Sequence, residues 1–203
     1  MHIVDGALSD SVVIGGAVAA VVGIAYGLKR MDLDHIPQMG ILSAAFFIAS
    51  LIHVPVGPTS LHLILNGLIG LALGWTAFPA LFVALLLQAV FFGYGGLIVL
   101  GVNTLNIALP GVIVWLLLSK QILTSQPRSA AIWGGIAGAL SIILTAVMVS
   151  LSLALSGEAF VSAAKLALLS HIPVMVVEAL VTAAAVFLLI RVKPDFFDHS
   201  GKP

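Results

Sequence analysis

LHLILNGLIGLALGWTAFPALFVALLLQAVFF, residues 61–92, holds no Asp, Glu, Lys or Arg. The charge-free run extends on both sides, from Asp34 to Lys120. A soluble domain could not keep such a stretch dispersed, because too little polar surface would remain to cover it. In a bilayer the same stretch is ordinary, since each helical span needs roughly 20 apolar residues. The rest of the chain agrees. Of its 203 residues, 61% are hydrophobic and 8% charged, where soluble domains carry roughly 25% charged residues. Mean hydropathy is +1.23. The 20 glycines fit as well, because small residues let membrane helices approach closely. The expected fold is an all-α integral membrane protein.

Apolar runs and their breaks predict about seven transmembrane helices. Asp10 is a candidate cap for a first helix ending near Leu28, before a polar loop at 29–35. A second runs over 37–52, with proline in its first turn. Residues 53–60, HVPVGPTS, read as a loop, with Thr59 or Ser60 capping a third helix that ends near Gly74. A fourth covers 78–92, a fifth 97–118 and a sixth 129–155. The last covers 172–190, after a short helix at 159–170. Helices three and four are short for full spans. No linker divides the chain, so residues 1–203 form one transmembrane domain, with 1–9 as a separate N-terminal segment.

Basic residues orient the bundle. With the N-terminus outside and the C-terminus cytoplasmic, Lys29, Arg30, Lys120, Arg128, Arg191, Lys193 and Lys202 all fall inside. Only Lys165 falls outside. The positive-inside rule asks for this bias. The same assignment brings Met1, His2, His53 and His62 to the outer face of a multi-pass protein of the inner (plasma) membrane. The first residues lack the basic region of a cleavable signal peptide. Met1 and His2 are therefore expected to remain, and a bulky residue at position 2 discourages removal of the initiator Met.

A free amine followed by histidine is a chelator. The amine, the His2 main-chain nitrogen and the His2 imidazole can bind one ion through fused rings once the main-chain nitrogen loses its proton. Ni(II), Cu(II) and cobalt suit such nitrogen coordination, whereas zinc gains nothing from a planar site. One more imidazole, from His62 or His53, completes four nitrogens. The plainer readings are a His2 at the lipid headgroups and a neutral His62 hydrogen-bonded between helices. Asn66, Gln88, Asn103 and Asn106 lie within spans, where interhelical hydrogen bonding is the ordinary role. Glu178, the only acid well inside a span, shares a helix face with His171, and a structural pairing is the default. Gly15, Ala19, Gly23 and Gly27 form a small-residue stripe for close helix contact.

Several classes are excluded. There is no cysteine, hence no disulfide, thiolate metal site or cysteine nucleophile. Net charge is zero, which argues against nucleic acid. No phosphate loop is present, so the chain does not itself hydrolyse ATP. Neither a metalloprotease HExxH nor a GxSxG elbow occurs.

Four motifs stand in order: Met-His-Ile-Val-Asp-Gly at residues 1–6, VPVGPTSLHLILNG at 54–67, GVNTLN at 101–106 and HIPVMVVE at 171–178. Together they resemble the CbiM/NikM family, the substrate-specific membrane subunits of energy-coupling-factor cobalt and nickel transporters. The resemblance covers most of the chain. Val4 departs from the family's usual proline but removes no ligand. The resemblance implies that Met1, His2 and His62 bind Ni2+ or Co2+ as transported ligand, with no catalytic cofactor. With that ligand set, His53, Asn103 and Asn106 are expected to orient a ligand or line the entrance. It also implies a transmembrane scaffold subunit, cytoplasmic ATPase subunits and a small accessory membrane protein as partners. The helix-one stripe would then be a scaffold contact. The alternative is a capture subunit or transporter for an organic solute such as a vitamin, with its site near Asn103, Asn106 and Glu178.

Overall fold

The structure is a computed structural model describing residues 2–51, 53–56 and 59–198, with the backbone alone over 53–56 and 59–61. Lys202 lies outside the described residues. Seven α-helices occur among them: α1 (Asp10–Lys29), α2 (Ile36–Ala49), α3 (Asn66–Leu73), α4 (Ala77–Phe92), α5 (Leu100–Thr124), α6 (Pro127–Ala154) and α7 (Val161–Val192). An antiparallel hairpin of β1 (His53–Val56) and β2 (Thr59–His62) separates α2 from α3. Five stretches are long and apolar enough to cross a membrane: α1, α3 with α4, α5, α6, and α7 with its leading turn. The all-α integral membrane class agrees with the sequence; against about seven expected spans, five stretches of the described residues are long and apolar enough to cross, with α3 and α4 forming one of them.

Three details differ. The third helix was expected from Thr59 or Ser60, and it begins only at Asn66. Pro55 and the Gly57-Pro58 pair favour extended and turn backbone, so Thr59 and Ser60 serve a strand instead of a cap. The short helix at 159–170 and the last span are one helix of 32 residues. Pro173 lies inside it, where losing one backbone donor does not break a helix that its neighbours support. The first helix is entered through Ser9, and Asp10 is its first residue, where an acid suits the positive end of the dipole.

Every residue of α3 is buried. Its glycines explain how it fits. A Cβ on Gly70 would lie 2.1 Å from the Gly111 carbonyl oxygen of α5, and one on Gly67 would lie 2.7 Å from Ser141 Oγ of α6. Asn66 pins the entrance of α3, donating to Ile107 O at 3.0 Å and to Thr145 Oγ1 at 2.9 Å. Ile107 lies about two turns into α5, roughly 10 Å at 1.5 Å per residue. The hairpin and residues 63–65 therefore cover the part of the crossing that α3 is too short to complete.

The bundle has two unlike ends. Arg30 shares a cleft with Asp32 and Trp115, and Arg128 shares another with Gln126 and Arg191. Gln38 donates there to Ala72 O and Phe196 O, tying α2, α3 and the C-terminal turn together. The opposite end carries the N-terminal segment, the hairpin and residues 93–99.

Candidate metal centre

The N-terminal segment lies against the start of α5, held by backbone bonds that its own sequence explains. The Asn103 side chain clamps one residue from both sides: Oδ1 accepts the Ile3 N–H at 2.9 Å, and Nδ2 donates to the Ile3 carbonyl at 3.0 Å. Asp5 donates its N–H to Gly95 O at 3.1 Å and accepts the Val99 N–H through Oδ1 at 3.1 Å. Gly96 has no side chain because a Cβ would fall 2.1 Å from the Asp5 carboxyl carbon. Ile3 is 0% exposed and packs with Val102, Val149 and Leu153. Val4 is exposed, and its carbonyl accepts the Ala7 N–H at 3.2 Å. The turn thus closes without the proline ring.

This anchoring seats His2, 2% exposed, against His62, 4% exposed. Their ring centres are 4.7 Å apart with planes 29° from parallel. Tyr94 stacks on His2 at 6.2 Å, and Phe46 meets His62 edge-on at 6.1 Å. Neither aromatic residue was singled out from sequence, where nothing separates them from lipid-facing neighbours. His62 Nδ1 lies 2.8 Å from Leu63 O. A carbonyl only accepts, so Nδ1 carries the hydrogen and the lone pair sits on Nε2. A neutral imidazole is what a metal requires of a histidine.

Met1 lies outside the described residues. His53 is the backbone partner of His62 in the hairpin register, so it occupies a strand where a loop was expected. His62 itself ends β2 instead of starting a helix. Asn106 is not with the histidines: it donates to Ser152 Oγ at 3.3 Å and lines a groove of about 440 Å³ between α1, α5 and α6. Glu178 does not pair with His171. Its Oε1 accepts the N–H of Ile64 and, at 2.7 Å, that of Leu65. His171 Nδ1 donates to Ala167 O one turn back. The Asn103, Asn106 and Glu178 side chains, near which the organic-solute alternative places its site, each bond to a different partner. Among the described residues, no three His, Asp or Glu side chains converge as metal ligands.

The helix-one stripe divides. A Cβ on Gly23 would strike the Phe78 ring at 2.5 Å, and one on Gly27 would strike Trp75 O at 2.5 Å. These two glycines make an internal contact with α4 and the turn before it. Gly15 is exposed, with open space where a Cβ would stand, and Ala19 is half-buried.

Residues 2–196 match the family described as CbiM, cobalt uptake substrate-specific transmembrane region. The chain belongs to the CbiM family. A CbiM chain is the substrate-specific transmembrane part of a transition-metal uptake system, with a role in binding and transport, in a multi-pass protein of the cell membrane. A putative metal transport protein of Haemophilus influenzae is 39% identical over 98% of both chains. A fused nickel transport protein, NikMN, of Rhodobacter capsulatus is 39% identical over 56% of this chain and 35% of its own length. Among solved structures, a truncated transition metal transporter superposes with a TM-score of 0.78 at 28% identity, over 95% of this chain and 99% of that one.

Proposed function

We propose that this CbiM protein captures Ni2+ or Co2+ at the outer face for an ATP-driven importer of the energy-coupling-factor type. The ion is held by four nitrogens: the Met1 amine, the His2 main-chain and imidazole nitrogens, and His62 Nε2. The stacking of His2 on His62 at 4.7 Å in a buried site carries this reading. Two imidazoles that close need little ring movement to share one ion. The basic ends of α1, α6 and α7 support an outer location for the opposite end. ATP is hydrolysed by separate cytoplasmic subunits, and a membrane scaffold joins them to this chain. A fused relative whose name couples NikM to NikN supports a small accessory membrane partner.

An N-terminal extension tests the donor set. One residue placed before Met1 turns the amine into an amide and shifts the chelate. Calorimetry with both metals is expected to lose tight binding in the extended protein and in His62→Ala. His53→Ala loses much less. Retained affinity in a folded, extended protein would overturn the amine, and a larger loss in His53→Ala than in His62→Ala would overturn the histidine assignment.

A further inference from the structure

His62 is separated from α3 by Leu63, Ile64 and Leu65, three residues in neither strand nor helix. Ile64 is 0% exposed and Leu65 8%. No water reaches these backbone groups, and irregular backbone at membrane depth is stable only where the protein satisfies its donors. Leu65 adds a second difficulty. It is the one described non-glycine residue with positive φ, at φ 58 and ψ 14. A leucine adopts the left-handed conformation only at an energetic cost, because its Cβ crowds the following carbonyl oxygen. It also stands at the N-cap of α3, where its side chain offers no oxygen to the free helix donors.

One atom answers both difficulties. Glu178 Oε1 accepts the successive N–H groups of Ile64 and Leu65, reaching across from the middle of α7. Two adjacent N–H groups converging on one oxygen form a nest, a backbone shape that selects an acceptor at its focus. The Leu65 carbonyl then accepts the Ile69 N–H at 2.8 Å, so α3 starts directly from the held turn. Glu178 is 0% exposed, and Oε2 has no hydrogen-bond partner among the described residues. A single acceptor oxygen at position 178 thus carries the whole contact.

We infer that Glu178 is a positioning residue for the metal site, fixing the left-handed turn at Leu65 and through it the place of His62 beside His2. It touches no ion and acts through backbone, in the way that groups behind a metal ligand set its orientation. The inference rests on the proposed role of His62.

The test is a double-mutant cycle on the full-length protein with a native N-terminus, titrated with Ni2+ alone. Glu178→Ala is expected to lower affinity roughly 10- to 100-fold, the range for a group that orients a ligand. It should also move the ligand-field absorption of the bound ion toward that of His62→Ala. The double variant should bind no more weakly than His62→Ala, because a displaced ligand cannot be lost twice. Glu178→Gln keeps one acceptor oxygen and should bind within a few-fold of the unaltered protein. Leu65→Gly, which adopts positive φ freely, should recover part of the loss in Glu178→Ala. If Glu178→Ala does not purify folded, Glu178→Asp, too short to reach both donors, takes its place in the cycle. Unchanged affinity in the Ala or Asp variant, or losses that simply add to those of His62→Ala, overturns the inference. Unchanged affinity in His62→Ala alone overturns the site reading beneath it.

Discussion

Asn103 and Asn106 stand three residues apart on α5, yet they do unlike things. Asn103 uses both ends of its amide on the Ile3 backbone, whereas Asn106 meets Ser152. The amide matters at Asn103 because Ile3 presents one donor and one acceptor, which a carboxylate cannot match. Asn103→Asp keeps an oxygen for the Ile3 N–H but sets a second oxygen against the Ile3 carbonyl. The segment carrying His2 would then shift away from His62. We expect Asn103→Asp to weaken Ni2+ binding by about tenfold or more and Asn106→Ala to change it by much less, both read by calorimetry. Equal effects would mean that the clamp does not set the site. The charges alone brought His2 and His62 to one end, because basic residues orient spans whatever the details between them. The clamp was hidden, since its partner is backbone 100 residues away, and an asparagine in a span reads equally well as an interhelical bridge.

At the scale of elements, α3 is the helix on which packing depends most. Gly70 meets only backbone, so no side chain can rotate to make room. A Cβ at Gly70 would sit 2.1 Å from Gly111 O and 2.5 Å from Gly111 Cα. Gly70→Ala must therefore push α3 from α5, at a cost of about 1–3 kcal/mol or more for an overpacked contact. Gly40, in α2, has open space around its missing Cβ. Gly40→Ala should be neutral or stabilising, since alanine is the better helix former. Thermal unfolding in detergent distinguishes them: a clear fall for Gly70→Ala, none for Gly40→Ala. Equal midpoints would mean that α3 packs more loosely than its burial indicates. Long helices such as α5 and α6 were legible because a span is a long apolar run. The hairpin was not, because in a bilayer protein both strand and helix are apolar on every side and periodicity carries no signal. For the same reason α3 looked like a longer helix, and the only hints of its late start were Pro55 and Pro58.

On the proposed function, capture and coupling are separated by the length of the bundle. The histidines and the segment that holds them occupy one end, and the arginines of α6 and α7 the other. An importer must pass information between these ends or move the bundle as a unit, and either requires a partner along its side. α1 is one helix with a face to offer such a partner. Ile14, Val18, Val21 and Val22 are exposed on it, while Gly23 and Gly27 hold it to α4 from the other side. The stripe read from sequence thus serves two surfaces, an outcome that sequence could not resolve because helix spacing alone does not say which face is inside. Gly15 and Ala19 lie on the other face, where the proposed scaffold would dock. Gly15→Leu adds bulk where the chain itself has open space, so the protein should fold and bind Ni2+ normally. If the scaffold docks on this face, the variant will not transport the ion, and the ATPase subunits will no longer purify with it. Gly23→Leu should behave differently, losing folding and metal binding together as its side chain meets the Phe78 ring. Normal uptake by Gly15→Leu would mean that this face of α1 lies against lipid, and the scaffold would have to be sought elsewhere on the bundle.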